Sequence, residues 1–475
     1  MPTERRPPLP QGPFLVLGIA RSGEAVARAL ALRGERVIAA DRGGNELPAL
    51  KQAAERLLAC GVEVQLNVAD DRLADCARVL VKSPGVPQDA PLVRAFRARN
   101  QLVMGELEIA WRLLPNDFIA VTGTNGKTTT TELIGHLHRA AGSPVAVAGN
   151  VGTALSSLVG ELDRESTVIC ECSSFQLEDA VEFAPDAALL LNLTPDHLDR
   201  HGSFESYREA KLKIFAHQDS GQLAVIPAGL TLEQRGAARQ LRFGGSPDCA
   251  VRLDQDRLTW RGQALIGVDE LSLPGAHNLQ NAMAAATVCL ERGIATEAVA
   301  DGLRSFGGVP HRLESVGELD GVSYVNDSKA TNVASTEVAL RSYERGIHLI
   351  LGGDGKGQAF GELRALVEER CAALYLIGRD AQLIADDLAA AGIKQTACGT
   401  LDIAVRSARA AAAPGDVVLL SPACASYDQF SNFEDRGNAF REFVANLPSV
   451  LPGPGTTGAK GNEAGDGATA GEAQG

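Results

Sequence analysis

A glycine-rich turn between a predicted strand and a predicted helix constrains this chain more than any other feature. The apolar run DFIAVTG at 117–123 is typical of a buried strand, and TTTTELIGHLHRAAG at 128–142 is typical of a helix. Gly123, Gly126 and Lys127 occupy the turn. Backbone N–H groups at such a helix start face an anion, and a lysine beside them can reach outer phosphates. The turn therefore predicts a phosphate-binding loop in an α/β domain.

The strict phosphate-loop pattern, G-x-x-x-x-G-K-[ST], is incomplete because Val121 stands at its first glycine position. The spacing present is G-x-x-G-K-T, and Thr128 adds a hydroxyl that can bind Mg²⁺. The alternative interpretation is a polar turn in which Thr128 caps the helix. A cap needs neither Lys127 nor a second glycine, so a phosphate site is favoured.

Short apolar runs alternate with helical stretches along most of the chain. This alternation predicts an α/β fold with mainly parallel sheets, whose ligands bind at the carboxyl ends of strands. We expect three domains, at 1–105, 106–308 and 309–450, and a disordered tail at 451–475.

Composition argues against several classes of protein. The net charge is −14 with no basic block, so nucleic acid is a poor partner. No apolar run approaches the ~18 residues of a membrane span, so membrane insertion is not expected. The run FLVLGIA at 14–20 leads into Arg21 rather than a small-residue cleavage site, which favours a first strand over a signal peptide. Nine scattered cysteines without C-x-x-C suit a reducing cytoplasm.

A second glycine turn lies near the N-terminus, in LGIARSGEAVARAL at 17–30. Asp41 ends the next predicted strand, 23 residues after Gly18. The dinucleotide pattern G-x-G-x-x-G is not satisfied, and an ordinary tight turn explains the residues equally well. Together with VKSPGV at 81–86, the turn is compatible with a pocket for a second nucleotide-like group.

An acidic residue ends another predicted strand in TVICECSSFQLE at 167–178. Strand alternation places Cys170 and Cys172 on one face and Glu171 on the other. An acid at the end of a buried strand beside a phosphate loop is a natural Mg²⁺ ligand, and the alternative is a solvated glutamate.

Two histidines, His197 and His201, are spaced i,i+4 in NLTPDHLDRHGS at 192–203. That spacing allows zinc, but no third ligand has zinc-like spacing, so zinc is the less favoured interpretation. Lys211 lies four residues after Tyr207 on a predicted helix, and its position alone is typical of a surface lysine.

Taken together, motifs from about residue 14 to residue 447 resemble the Mur ligase family. They are GTNGKT, GN, ECSSFQLE, NLTPDHLDRHGS, YREAKLKIF, HNLQNAMAA, HRLE, VNDSKATN, LGGDGKG and LSPACASYDQFSNFEDRG, in family order. The family usually has serine where this chain has Thr129, a change that keeps the hydroxyl.

The resemblance is strongest to the members that add D-glutamate to UDP-N-acetylmuramoyl-L-alanine in peptidoglycan precursor synthesis. It implies a cytoplasmic, monomeric, ATP-dependent ligase that uses two Mg²⁺ ions and an acyl-phosphate intermediate. A Rossmann-like N-terminal domain would bind the UDP-substrate and a P-loop central domain would bind ATP. A Rossmann-like C-terminal domain would bind D-glutamate.

The family's functional positions carry over residue by residue as implications of the resemblance. The UDP-substrate positions are Ala20, Arg21, Ser22, Asp41, Arg42, Ser83, Gly85 and Asn150. The ATP positions are Gly123, Thr124, Asn125, Gly126, Lys127, Thr128, Thr129, Asn278, Asn281, Arg312 and Asp327. The D-glutamate positions are Lys329, Thr331, Lys356, Ser421 and Phe430. The metal positions are Thr128, Glu171, His197 and Lys211, with Lys211 carbamylated by CO₂, and the catalytic positions are Lys127, Glu171, His197 and Lys211.

Four alternatives fit the sequence less well. Folylpolyglutamate synthase has a similar ATPase core, but the first-domain pocket and SPACASYDQF argue against it. The diaminopimelate-adding Mur ligases carry D-N-P-R, which is absent here. A GTPase switch needs N-K-x-D, also absent. A nicotinamide dehydrogenase would leave the second and third domains unexplained.

Overall fold

The chain divides into two compact units, Met1–Val309 and Pro310–Gly475. A computed structural model describes residues 6–45, 47–232, 235–273, 275–355 and 357–448. The expected α/β class is confirmed, because each unit is built on mainly parallel sheets. The boundary expected after residue 105 falls inside the first unit and stays a prediction, and the tail expected at 451–475 lies outside the described residues. Within those residues, no helix has both the length and the apolar character needed to span a bilayer.

The first sheet, as far as the structure describes it, has five parallel strands in the order β3-β2-β1-β4-β5. Its strands are β1 (Phe14–Leu17), β2 (Val37–Ala40), β3 (Glu63–Gln65), β4 (Val79–Lys82) and β5 (Leu102–Gly105), and its helices are α1 (Arg21–Leu32), α2 (Pro48–Ala59), α3 (Pro91–Ala98) and α4 (Glu106–Leu113). Every residue of β1, β2 and β4 is buried, as expected for a parallel sheet covered on both faces.

The second sheet has nine strands among the described residues, in the order β14-β13-β12-β11-β10-β9-β6-β8-β7. They are β6 (Phe118–Thr122), β7 (Val145–Gly149), β8 (Thr167–Glu171), β9 (Ala187–Leu190), β10 (Leu223–Pro227), β11 (Arg239–Gly244), β12 (Val251–Asp254), β13 (Arg257–Trp260) and β14 (Gln263–Gly267). The helices are α5 (Lys127–Ala140), α6 (Ser174–Glu178), α7 (Leu198–His201), α8 (Phe204–Leu212), α9 (Ala276–Glu291) and α10 (Thr296–Ser305). Pairing is parallel from β7 to β12 and antiparallel from β12 to β14.

The second unit contains one described sheet of six strands, in the order β15-β16-β20-β17-β18-β19. The strands are β15 (Glu314–Leu319), β16 (Val322–Asn326), β17 (Ile347–Gly352), β18 (Cys371–Ile377), β19 (Lys394–Gly399) and β20 (Val417–Leu420), and the helices are α11 (Val333–Arg341), α12 (Arg364–Arg370), α13 (Ala381–Asp387), α14 (Leu401–Ala411) and α15 (Phe433–Ala445). Among these six described strands, β15 alone pairs antiparallel, at one edge.

Candidate active site

The phosphate loop joins β6 to α5 at the carboxyl edge of the second sheet. The helix begins at Lys127, and Gly126 precedes it as the N-cap with a φ of 82°. The alternative in which Thr128 caps the helix is therefore wrong. A β-carbon at Gly126 would lie 2.3 Å from Oδ1 of Asn281. Glycine is therefore required here both by the left-handed backbone conformation and by the short distance to Asn281. The loop thus presents the start of a 14-residue helix, which suits an anion.

Asn192, just beyond β9, holds this loop in shape. Its side chain donates to the carbonyl oxygen of Asn125 (3.0 Å) and accepts from the amide N–H of Asn125 (2.8 Å). Its own carbonyl oxygen accepts from the amide N–H of Thr124 at 3.1 Å. We did not predict this role from the sequence. The available signal was an asparagine directly after an apolar strand, at the edge where the loop was expected.

Two lysine amines converge on one carbonyl of the loop. The Nζ atoms of Lys127 and Lys211 donate to the carbonyl oxygen of Gly123 at 2.9 and 2.8 Å. Lys127 also donates to the carbonyl oxygen of Thr124 at 2.8 Å. Both predicted catalytic lysines therefore lie at the phosphate loop.

Lys211 is buried rather than a surface residue, with 2 % of its area exposed. Its Nζ lies 4.7 Å from the ring centroid of Tyr207, whose hydroxyl is 3.0 Å from Oγ1 of Thr124. Burial, and then the charge of Lys127, lowers the pKa of Lys211 to about 7. A large fraction of this amine is therefore neutral near neutral pH, which is the form that reacts with CO₂.

Glu171 lies at the same sheet edge, because β8 pairs with β6 and places it opposite Val121. The side chain is buried, and its Oε1 accepts from the side-chain amide of Asn150 at 2.9 Å. The carbonyl oxygen of Asn150 accepts from the guanidinium of Arg21 at 2.8 Å. A predicted UDP-substrate residue is thus linked through Asn150 to the predicted metal ligand.

The two histidines differ in their surroundings. The side chain of His197 is half exposed, its backbone is left-handed with φ of 51°, and its ring centroid lies 5.0 Å from that of Phe175. His201 is buried, its Nε2 is 3.0 Å from Oγ of Ser174, and burial lowers its pKa. Among the residues that the structure describes, no three His, Cys, Asp or Glu side chains group as a metal site. The zinc interpretation therefore gains no support.

A narrow cleft lies beside the phosphate loop. Asn281 and Asn278, both on α9, are joined by a 3.4 Å contact between Nδ2 and Oδ1. Apolar side chains complete the wall, among them Leu133, Leu271, Leu273 and Phe306, with Thr129 at the loop end. The structure thus brings three of the predicted ATP residues, Thr129, Asn278 and Asn281, together along one cleft beside the loop.

The first glycine turn packs against the loop 83–86. Gly18 has a φ of 86°, and its carbonyl oxygen accepts from Oγ of Ser83 at 2.6 Å. The carboxylate of Asp41 accepts from the amide N–H groups of Ile19 (2.9 Å) and Gly43 (2.8 Å). The remaining predicted UDP-substrate residues of this sheet follow the same strands: Ala20, Arg42 and Gly85 lie in the turns after β1, β2 and β4, and Arg21 and Ser22 begin α1.

In the second unit, Asp327 and Ser421 form a buried pair. Oγ of Ser421 donates to Oδ2 of Asp327 at 2.8 Å and is 3.1 Å from Oγ1 of Thr336. Both hydroxyl-bearing residues are fully buried. Burial raises the pKa of Asp327 to about 6, against the opposing effect of the Ser421 hydrogen bond. The predicted D-glutamate residue Ser421 is therefore bonded to a predicted ATP residue within the unit, while Arg312 is exposed nearby.

Lys329 lies against an aromatic ring that we did not predict. Its Nζ is 5.4 Å from the ring centroid of Phe433, at the start of α15. Phe430 is half-buried and packs on a hydrophobic core cluster of the second unit. Thr331 is half-buried two residues beyond Lys329, whereas Lys356 lies outside the described residues. Phe433 is thus a candidate binding residue that the sequence pattern missed.

Asp327→Asn should change how stability depends on pH. At pH values below about 4 the carboxyl is protonated in both the folded and the unfolded chain, so its burial costs little. As pH rises through about 6, the folded state must bury a charge, and stability falls by about 3 kcal/mol relative to the variant. We would compare denaturant unfolding of both proteins from pH 4 to pH 7. Parallel pH profiles would show that Asp327 is not destabilised by burial.

Comparisons with known proteins agree with this geometry. Residues 121–289 match the family model described as "Mur ligase middle domain", and residues 311–424 match "Mur ligase, glutamate ligase domain". The UDP-N-acetylmuramoylalanine–D-glutamate ligase of Pelotomaculum thermopropionicum is 42% identical over 91% of this chain and 97% of its own length. The protein of the same name from Acidobacterium capsulatum is 40% identical over 90% and 95%. The crystal structure of MurF from Acinetobacter baumannii has the same fold, with a TM-score of 0.55, 18% identity and coverage of 90% and 93%.

Proposed function

The chain belongs to the Mur ligase family, and we propose that it is the ATP-dependent ligase that joins D-glutamate to UDP-N-acetylmuramoyl-L-alanine. The observation that carries the proposal is the meeting of three groups at one sheet edge. They are the phosphate loop, the buried amine of Lys211 and the buried carboxylate of Glu171. A simple nucleotide-binding switch has no need of the buried lysine amine.

The chemistry begins with a carboxylate, which is a poor electrophile. Its oxygen attacks the γ-phosphorus of ATP, ADP departs, and an acyl phosphate is left. The amine of D-glutamate then attacks the acyl carbon and loses a proton, and inorganic phosphate leaves with the original carboxylate oxygen. Lys127 and the loop amides stabilise the charge that develops on the phosphoryl oxygens.

The residues present fit Mg²⁺, which prefers oxygen ligands. Glu171 offers a buried carboxylate and Thr128 offers a hydroxyl, and the ring of His197 packs on Phe175 in the segment that follows Glu171. We assign these three residues, together with Lys211, to two metal sites. When bound, Mg²⁺ neutralises the phosphate charge. Phosphate, water and a carbamate would supply the remaining oxygen ligands.

We assign that carbamate to Lys211. Its amine is buried, has a lowered pKa and is held at the loop by the carbonyl oxygen of Gly123. Reaction of the neutral amine with CO₂ releases a proton and gives a carboxylate that keeps one N–H on Nζ. That N–H can still donate to Gly123, so the modification preserves the observed contact.

We place the UDP-substrate at the carboxyl ends of the first sheet's strands, beside Arg21, Asp41 and Ser83, and D-glutamate in the second unit. Lys329, Thr331, Lys356 and Phe430 keep their proposed roles there, and Phe433 joins them. Ser421 acts through Asp327 in this account, because its hydroxyl already donates to that carboxylate. Arg312 and Asp327 remain proposed ATP contacts.

Lys329→Met should raise the KM for D-glutamate. A hydrogen bond to a charged group contributes about 1.5–3 kcal/mol, which corresponds to a roughly 10- to 150-fold change. The KM for the UDP-substrate should not change, because that ligand binds the first sheet. The matched control is Lys394→Met, which removes an exposed lysine of the same unit. A rise in the UDP-substrate KM alone would contradict the assignment of the second unit to the amino acid.

The test of the proposed function is phosphate release from ATP with a panel of amino acids. We expect release only when UDP-N-acetylmuramoyl-L-alanine and D-glutamate are both present, and little with L-glutamate or diaminopimelate. Release with a folate and L-glutamate, or with UDP-N-acetylmuramate and L-alanine, would replace the proposal with another ligase activity.

A further inference from the structure

The loop 83–86 is held by a lysine buried directly before it. Lys82 ends β4 and has no exposed area. Its Nζ donates to the carbonyl oxygen of Val86 at 2.9 Å and forms an ion pair with Oδ2 of Asp179 at 2.8 Å. An ion pair withdrawn from water in this way costs desolvation, and it is weak evidence for stability by itself. Because stability does not explain this buried ion pair, its position beside a candidate binding loop points to a functional role.

Asp179 ties this lysine to the second sheet. It follows α6, the helix that comes directly after Glu171 and β8. Its other carboxylate oxygen accepts from the side chain of Gln88 at 2.9 Å, and its carbonyl oxygen accepts from the amide N–H of Gly105 at 3.0 Å. The carboxylate thus joins the end of β4 to the segment that carries the candidate metal ligand.

A second cation reaches the same loop from the second sheet. The guanidinium of Arg200, on α7, donates to the carbonyl oxygens of Pro84 at 2.6 Å and Val86 at 3.0 Å. It also stacks over the ring of Phe175 at 4.2 Å, which fixes its direction. Arg200 lies three residues after His197, so this contact also begins beside a candidate metal ligand.

We infer that Lys82, Asp179 and Arg200 are positioning residues that set the loop 83–86, and with it the UDP-substrate, relative to the carboxyl ends of β6 and β8. The inference rests on the proposed function, because it takes the loop's ligand to be the UDP-substrate. The substrate carboxylate must lie within bonding reach of a phosphoryl group, and a misplacement of about 1 Å can cost up to 100-fold in rate. Two cations hold the loop carbonyls and so keep that distance fixed: Lys82, which is paired with Asp179, and Arg200, which follows His197.

The test is the double variant Lys82→Met/Asp179→Asn. It removes both charges together, so no buried charge is left unpaired, and replacing such a pair by neutral residues of similar size is often tolerated. The side-chain amide introduced at position 179 still has a carbonyl oxygen that can accept from the side chain of Gln88. We expect kcat to fall and the KM for the UDP-substrate to rise, together a loss of about tenfold in kcat/KM for that substrate, with the KM for ATP, the KM for D-glutamate and the unfolding temperature nearly unchanged.

The matched control is Arg409→Met/Asp320→Asn, which removes a buried ion pair of the second unit. It should leave both kcat and the KM for the UDP-substrate unchanged. If the first double variant is not recovered folded, Arg200→Lys replaces it, because a lysine loses the paired contacts with Pro84 and Val86, and the same selective rise in KM is expected.

An unchanged kcat/KM for the UDP-substrate in a folded variant would overturn the inference, and so would an equal rise in all three KM values. Failure of the proposed function looks different, because the unmodified enzyme would then show no turnover that depends on the UDP-substrate.

Discussion

Lys127→Ala should lose about 10³-fold or more in kcat while the protein stays folded. Removing one preorganised donor to a developing anion costs about 10²–10³-fold, and a cation at a transferring phosphoryl group contributes about 10³–10⁵-fold. Lys127 is both a cation and a preorganised donor, because its Nζ is held at the loop by hydrogen bonds to the carbonyl oxygens of Gly123 and Thr124. The side chain is half-buried, and its loss opens no cavity in the apolar core.

The measurement is steady-state phosphate release with all three substrates saturating. Lys51→Ala, at an exposed lysine of α2, is the matched control and should keep full activity. Thermal unfolding of both variants shows whether the fold is retained. A folded Lys127→Ala protein with near-normal turnover would remove the basis for an ATP site at this loop.

Lys211→Ala should be nearly inactive, and short carboxylates should restore part of the activity. The lost group in this account is a carbamate that helps to hold Mg²⁺, so acetate or formate can enter the space and supply an equivalent oxygen ligand. An ordinary structural lysine would not be rescued in this way. The dependence on the acid should saturate, because it reports binding at one site.

Lys213→Ala is the matched control, since Lys213 lies two residues further along the chain and donates instead to the carbonyl oxygen of Glu178. It should keep its activity and show no response to acetate. Wild-type activity in Lys211→Ala would show that the buried amine has no part in the reaction. Activity that stays low at every acetate concentration would contradict the carbamate.

The sequence predicted the site best where one local rule decides the structure. Alternation in TVICECSSFQLE predicted a shared face for Cys170 and Cys172, and their sulfur atoms are 3.4 Å apart. Glu171 then had to point the other way, at the edge where the carboxyl ends of parallel strands meet. The helix predicted over 128–142 runs from Lys127 to Ala140, and Gly142 follows it with a φ of 68°.

The sequence did not predict the features that depend on packing between distant segments. Lys211 has a sequence position typical of a surface residue, and only the packing of α8 against the loop buries it. Ser421 follows an apolar strand like other candidate ligand residues, yet its hydroxyl is used by Asp327. The antiparallel strands β12, β13 and β14 were not predicted at all, although polar and apolar residues alternate in VRLD and RLTW.

The central claim is that the loop holds ATP so that its terminal phosphate activates a carboxylate, and oxygen labelling tests it most directly. The enzyme would turn over UDP-N-acetylmuramoyl-L-alanine labelled with ¹⁸O in the alanyl carboxylate, together with ATP and D-glutamate, and the phosphate would be analysed by mass spectrometry. Because phosphate leaves with an oxygen of that carboxylate, we predict one ¹⁸O atom in each phosphate released. Unlabelled phosphate would mean that water, not the substrate carboxylate, accepts the phosphoryl group, and would contradict the account.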